Sequence, residues 1–373
     1  MAKNSNLGAA KAAKNDEFYT QYADIQKEIN AYLEYNPDTF RDKTVLLPCD
    51  DPEWSNFTRF FAQNFERLGL KRLISTSYAV ESKKYKNYQP TLFETESPWF
   101  DIDKTRIKGK IFEITRDTNN NGRIDIDDLE WHYLEGDGDF RSKEVCKLRD
   151  ESDIIVTNPP FSLFREFLVW IMEAEKHFLI IGNVNCITYK EVFPLIQSNM
   201  IWTGVRFNKR SGGKNMTFQV PDNYPMTGTE LYIDEKGRKF ISVAGTGWFT
   251  NLEHGRRHEP LQLMTMKDNL RFSKHKEIKE YGYLKYYHYG YIDVPFTDAI
   301  PNDYSDIMGV PITFLDKYCP EQFEIIGISL TYATIKPSNL PKSQQGGPAF
   351  YIEQNGSYKR MYARILIRKK QQL

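Results

Sequence analysis

Asp153-Ile154-Ile155-Val156-Thr157-Asn158-Pro159-Pro160-Phe161 is the stretch from which the rest of the chain is read. Its first half is a short apolar run, the pattern of a strand buried on both faces. Its second half is Asn-Pro-Pro-aromatic, delivered at the strand's carboxyl end, where open α/β sheets bind their ligands. Two prolines stiffen that turn, fixing the acceptors beside them in advance. The Asn158 side-chain oxygen and the Pro159 carbonyl can accept hydrogen bonds from the two N–H groups of a planar amine. Such an amine is a poor nucleophile, because its lone pair is delocalised into the ring. Accepting both hydrogens favours a tetrahedral nitrogen as a methyl group arrives. Phe161 offers a face on which an extracted base can stack. The chemistry needs no covalent nucleophile.

Outward from this point the chain alternates. Asn15 to Tyr35 has Ile25, Ile29, Tyr32 and Leu33 at helical spacing. Thr44 to Asp50 is a buried strand ending in turn-forming residues, Phe57 to Leu68 a helix, and Leu70 to Thr76 the next strand, which starts a βαβ unit. Phe161 to Glu175 is helical, Phe178 to Gly182 a strand, Tyr189 to Ser198 helical and Met200 to Trp202 a strand. Strands alternating with helices predict a mainly parallel sheet covered on both faces. The pattern stops near Val205, beyond which come Gly-rich turns and short β-like runs. The expected fold class is therefore α/β. Its divisions are an N-terminal arm (1–14), a catalytic domain (15–205) with an Asp/Asn-rich insertion at about 113–140, and a mixed α+β region (206–373). Whether the last strands of that region return to the catalytic sheet is left open.

The composition is that of a folded protein, 40% hydrophobic and 14% aromatic. No apolar run approaches the roughly 20 residues that span a bilayer, and the Ala/Lys/Asn-rich N-terminus does not read as a signal peptide. Cys49, Cys146, Cys186 and Cys319 lack metal-ligand spacing and read as reduced thiols of a cytoplasmic protein. The formal net charge is zero, which by itself speaks against a phosphate binder. The charge is uneven, however. Glu113 to Asp153 holds thirteen acidic and six basic residues, whereas Arg206 to Lys285 holds fifteen basic and nine acidic ones. Either these are two solvated faces, or one part handles a polar small molecule and the other faces phosphates. Lys209, Arg210 and Lys214 on a Gly-rich loop, with Arg256 and Arg257 further on, are the candidate phosphate contacts. The tyrosines between Tyr281 and Tyr291 either stack on a partner or alternate across a half-buried hairpin.

Asp117, Asn119, Asn121, Asp125 and Asp128 occupy ligand positions of a calcium loop, with Gly122 at its sixth position. A strand precedes them where an EF-hand has a helix, and the last ligand is Asp rather than Glu, so the segment reads first as a polar hairpin. Any ion there would be structural.

Four further stretches carry a resemblance. These are Asn15-Asp16-Glu17-Phe18-Tyr19-Thr20-Gln21, Cys49-Asp50-Asp51-Pro52-Glu53-Trp54-Ser55-Asn56-Phe57, Gly138-Asp139-Phe140-Arg141-Ser142 and Met308 to Leu315. Together with Asn158-Pro159-Pro160-Phe161, the chain resembles the EcoRI-type adenine-specific DNA methyltransferases from about Ala10 to Lys369. The resemblance implies a Rossmann-like S-adenosylmethionine-dependent sheet followed by a target-recognition region. It implies Asn158, Pro159, Pro160 and Phe161 as catalytic residues, with direct transfer from S-adenosylmethionine to the N6 of a flipped adenine and no catalytic metal. It implies that Phe18, Tyr19 and Thr20 flank the methionine part of the cofactor. Cys49, Asp50, Asp51 and Pro52 then form the first strand–loop, and Asp139 and Phe140 contact the adenine amine or the ribose. Double-stranded DNA is the implied partner, with no membrane. The implied setting is restriction–modification or phage self-protection, with a monomer on DNA and a cognate restriction endonuclease. The chain departs from the pattern twice. The first loop has no glycine, and the second strand runs into Ser75-Thr76-Ser77-Tyr78 without an acid. A methyltransferase of RNA or of a protein glutamine, and a decayed DNA-binding relative, are the competing readings.

Overall fold

Thr44–Leu47 and Ile154–Thr157 are buried along their whole lengths. In the computed structural model they lie side by side and parallel, Val45 opposite Ile154 and Leu46 opposite Ile155. The structure describes residues 19–48, 50, 55–79, 95–205, 216–220, 231–338 and 340–370. They fall into two compact units. One holds the described residues up to Val184 together with Thr203–His254, and the other holds Asn185–Trp202 together with the described residues from Gly255 on. The chain therefore crosses between units after Val184, Trp202 and His254, rather than once at Val205.

The first unit contains β1 (Tyr19–Thr20), β2 (Thr44–Leu47), β3 (Arg72–Ser77), β4 (Lys110–Ile114), β5 (Glu130–Tyr133), β6 (Ile154–Thr157), β7 (His177–Asn183), β8 (Trp202–Thr203, where the chain re-enters), β9 (Thr217–Val220), β10 (Leu231–Ile233), β11 (Lys239–Ser242) and β12 (Thr246–Thr250). The main sheet has eight strands in the order β5-β4-β3-β2-β6-β7-β12-β8. Its centre is parallel, at β3/β2, β2/β6 and β6/β7. β4, β5 and β12 run antiparallel to their neighbours, so the sheet is mixed and not mainly parallel. The physical reasons are local. The polar loop 115–129 folds β5 back on β4 as a hairpin, and β12 returns from beyond Val205 to pair with β7. A smaller antiparallel sheet, β1-β9-β11-β10, belongs to the same unit.

Helix α1 (Tyr22–Tyr35) buries Ile25, Ile29 and Tyr32, the face its spacing predicts. Helix α2 (Asn56–Gln63) is N-capped by Ser55, whose hydroxyl accepts from the Phe57 amide at 3.0 Å. The expected helix Phe57 to Leu68 stops early, because the Asn64 side chain bonds the Phe60 carbonyl and its backbone leaves the helical region. One further turn, Phe65–Leu68, closes on Gly69 at φ 65°. Helices α3 (Lys143–Glu151) and α4 (Phe164–Glu173) follow. The core joins Ile25, Ile29, Tyr32, Phe57, Phe60 and Trp248, all buried.

In the second unit β13 (Ile292–Asp293), β14 (Met308–Pro311), β15 (Phe323–Ile328) and β18 (Arg364–Lys369) form a sheet ordered β13-β14-β18-β15, and β16 (Tyr351–Gln354) pairs with β17 (Ser357–Arg360) as a hairpin. The last strand thus lies between β14 and β15 and not in the catalytic sheet. One member of the tyrosine cluster is core here and the others are half-buried. Tyr286 is buried, stacks on Phe350 at 4.5 Å and donates to Asp293 at 2.6 Å. Tyr289 and Tyr291 pack around the same phenylalanine. Among the described residues no helix is long and apolar enough to cross a membrane.

Candidate active site

From β2 the chain passes through α2 to β3 on one side, while β6 lies on the other side of β2. Neighbouring parallel strands whose connections leave in opposite directions make a switch point, and a crevice opens at their carboxyl ends. The buried Thr157 hydroxyl, the last residue of β6, donates to the Pro48 carbonyl just past β2 at 2.8 Å. This bond ties together the two strand ends that carry Asn158 and Asp50.

Beyond Thr157 the prolines cannot donate to a ladder, so β6 stops. Asn158 is half-buried and Pro159 buried. Pro160 holds φ −51° and ψ 126°, then Phe161–Leu163 makes a single 3₁₀ turn into α4. Phe161 is partly buried against the core and keeps part of its surface exposed. The segment is anchored one step later. Phe164 is buried over Gly182 of β7, where a Cβ would stand 2.3 Å from its ring.

Asp50 is 7% exposed. Its amide donates to the Thr76 carbonyl at 2.8 Å, and its carboxylate accepts from the Thr58 hydroxyl of α2 at 2.8 Å. The N-terminal motif reaches the same helix start, for the Asn56 side-chain amide donates to the Thr20 carbonyl at 2.8 Å. Tyr19 and Thr20 themselves pair with Gln219 and Phe218. The structure therefore brings Thr20 and Asp50 to one helix N-terminus, though 29 positions separate them in the sequence.

Asp139 is delivered beside β3. Gly138, at φ +87°, lies so close to the Ser77 carbonyl that a Cβ would stand 2.3 Å from it, and the Ala79 amide donates to the Asp137 carbonyl at 2.8 Å. A loop from elsewhere thus sets an acid against the end of the strand that lacks one. Arg141 grips Asp139 through two bonds of 2.9 and 2.6 Å and also reaches Glu166 at 3.1 Å. That guanidinium holds the Asp139 carboxyl below the usual carboxylate range. Phe140 is buried edge-on against Phe167 and Trp170, so it supports the loop from within.

Phe18, Cys49, Asp51, Pro52, Lys209, Arg210 and Lys214 fall outside the described residues. Arg256 pairs with Asp316 at 2.6 Å with both side chains mostly buried. Arg257 is buried over the Trp202 ring at 4.0 Å and donates to Asn199 at 3.1 Å. Both arginines, expected at a phosphate surface, thus serve packing in the second unit. In the Asp/Asn-rich loop the candidate ligands turn to their own backbone. Asp117 accepts from Asn121 and Gly122, Asn119 from Asn121, Asn121 from Arg123, Asp125 from Asp127, and Asp128 from Thr118, Asn119 and Asp125. Among the described residues no group of three or more His, Cys, Asp or Glu is arranged to hold a metal ion.

Sequence reasoning missed Thr58, Ser75 and Thr157. The available signal was a hydroxyl on an otherwise apolar face: Thr58 sits between Phe57 and Phe61 on α2, and all three are buried.

Comparison with known proteins gives the family. The family described as "Adenine-specific methyltransferase EcoRI" matches residues 6–370. The type II methyltransferase M.EcoRI of Escherichia coli is 44% identical over 87% of this chain and 89% of its own length. The type II methyltransferase M.MpnI of Mycoplasma pneumoniae is 33% identical over 97% of both chains. No solved structure matches. A profile that spans nearly the whole chain, together with a relative 44% identical over most of its length, identifies the chain as a member of the EcoRI family of adenine-specific methyltransferases.

Proposed function

We propose that this enzyme methylates the N6 amine of an adenine flipped out of duplex DNA, as the modification partner of a type II restriction system. The observation that carries the reading is the tie between Thr157 and Pro48, which joins the strand end that leads into Asn158-Pro159-Pro160-Phe161 to the one that leads into Asp50.

The Asn158 side-chain oxygen and the Pro159 carbonyl accept the two amine hydrogens and draw the nitrogen lone pair out of conjugation. Phe161 stacks on the extruded base. S-adenosylmethionine supplies an electrophilic methyl group on a sulfonium. The chain's residues fit that cofactor. The buried hydroxyls of Thr20 and Thr76 have no hydrogen-bond partner among the described residues, and two carboxylates stand at neighbouring strand ends. Asp50 takes the ammonium of the amino-acid part, Phe18, Tyr19 and Thr20 flank that part, and Asp139 takes the ribose hydroxyls or the adenine amine. Cys49, Asp51 and Pro52 complete the loop. The parallel centre of the sheet, with its switch point, supports a Rossmann-like arrangement.

Phosphate contacts fall to Lys209, Arg210 and Lys214, and target recognition to the region after Val205. The test is methyl transfer from labelled cofactor to duplex DNA, RNA and protein in parallel, with sequencing of methylated adenine in DNA from expressing cells. Label in RNA or protein with none in DNA sinks the reading.

A further inference from the structure

Many loops that hold a nucleotide-type cofactor use glycines to bring backbone amides close. The loop after β2 has none. What it has is a carboxylate whose position is set by buried hydroxyls from two other elements. Thr58 of α2 and Ser75 of β3 are both fully buried. The Thr58 hydroxyl lies 2.8 Å from Asp50 Oδ2, the Ser75 hydroxyl lies 3.0 Å from the Asp50 carbonyl, and the two hydroxyls are 3.0 Å apart. Two hydroxyl protons thus face two acceptors on one residue. The charged carboxylate takes the Thr58 proton, because a hydrogen bond to an ionised acceptor is about twice as strong as a neutral one. The Ser75 proton goes to the carbonyl, and the contact between the two hydroxyls carries no proton. The Asp50 amide, bonded to the Thr76 carbonyl, fixes the same residue from a third side.

We propose that Thr58 and Ser75 are positioning residues for the cofactor's amino-acid end, acting through Asp50 in place of a glycine cradle. This rests on the reading that Asp50 receives the cofactor ammonium. A fixed carboxylate binds an ammonium without the ordering cost that a mobile one would incur. The bracket also explains why polar residues occupy fully buried positions on α2 and β3, where apolar ones would pack at no desolvation cost.

The test is calorimetric titration of the full-length protein with two probes. S-adenosylhomocysteine carries the amino-acid end, and 5′-methylthioadenosine lacks it. Thr58→Val keeps shape and removes the proton. It should weaken S-adenosylhomocysteine about tenfold, the order expected for a hydrogen bond to a charged group, and leave methylthioadenosine within about twofold. Thr58→Ser should restore the difference. In steady state the KM for the cofactor should rise, with the KM for DNA unmoved. Equal weakening of both probes, or of neither, overturns the proposal. Ser75→Ala carries the same test from β3, with about a threefold selective loss expected, should the valine variant fail to fold. Asp50→Asn separates the two levels. If it leaves the preference for S-adenosylhomocysteine intact, the underlying assignment of Asp50 has failed. If it abolishes that preference while Thr58→Val does not, only the bracket has failed.

Discussion

Asn158 stands half-buried at the end of a strand that is buried throughout, and in the proposed reaction its acceptor is used most when the nitrogen turns tetrahedral. Asn158→Ala should therefore lower kcat by about 10²–10³-fold or more while S-adenosylhomocysteine binds within about twofold of the parent. Loss of affinity in step with activity would assign it to binding instead. Asp139 gives a prediction of a different kind. Arg141 depresses its folded-state pKa, so its contribution to stability is fully present above the unfolded value of about 3.9 and is lost as pH falls through the folded value. The melting difference between the parent and Asp139→Asn should accordingly be constant from about pH 5 to pH 8 and shrink in more acidic buffer. A difference that grows on acidification would contradict the ion pair. The places of Asn158 and Asp139 were legible in the sequence, because a continuous apolar run ends at the one and a glycine turn delivers the other. Arg256 and Arg257 were not. Their burial is decided by Asp316, Trp202 and Tyr318, which no local pattern connects to them.

At the scale of elements, the turn that carries Asn158 to Phe161 is steadied by what comes after it. Phe164 opens α4 and sits over Gly182 of β7, so the exit of the turn is fixed to the next strand of the sheet. Gly182→Ala should force the ring aside. The expected cost is about 1–3 kcal/mol of stability, seen as a lowered melting temperature, together with reduced kcat as the 3₁₀ turn shifts. Adding Phe164→Leu should recover much of the stability. Full additivity of the two losses would show that the residues do not press on each other. The strands β2, β3, β6 and β7 were each readable within a few residues, since continuous apolar runs fix them. Their neighbours were harder. β12 was not assigned because Thr246–Thr250 is short and its apolar residues, Trp248 and Phe249, show no strand period, and its place beside β7 depends on a long-range antiparallel pairing. The helix expected from Phe57 to Leu68 broke at Asn64 because a side chain competed for a backbone carbonyl, a contest that periodicity does not register.

At the scale of the molecule, the division at Val205 would have been a convenient place to cut. A chain ending there keeps Asn158 and Asp50 but loses β9, β11 and β12, and with them the buried Phe218 and Trp248 of the main core. We expect it to express without a cooperative thermal transition, measured by calorimetry against the full chain. A sharp transition would show that the catalytic unit is complete without its returning strand. The three crossings also order the enzyme's birth on the ribosome. The first unit's sheet cannot close until Thr250 has emerged, and Asn185–Trp202 is made well before the rest of the unit it joins. At roughly 5–20 residues per second the nascent chain spends seconds with the apolar flank of β7 uncovered. That interval is when a holdase or a slow codon run would matter most to the yield of active enzyme.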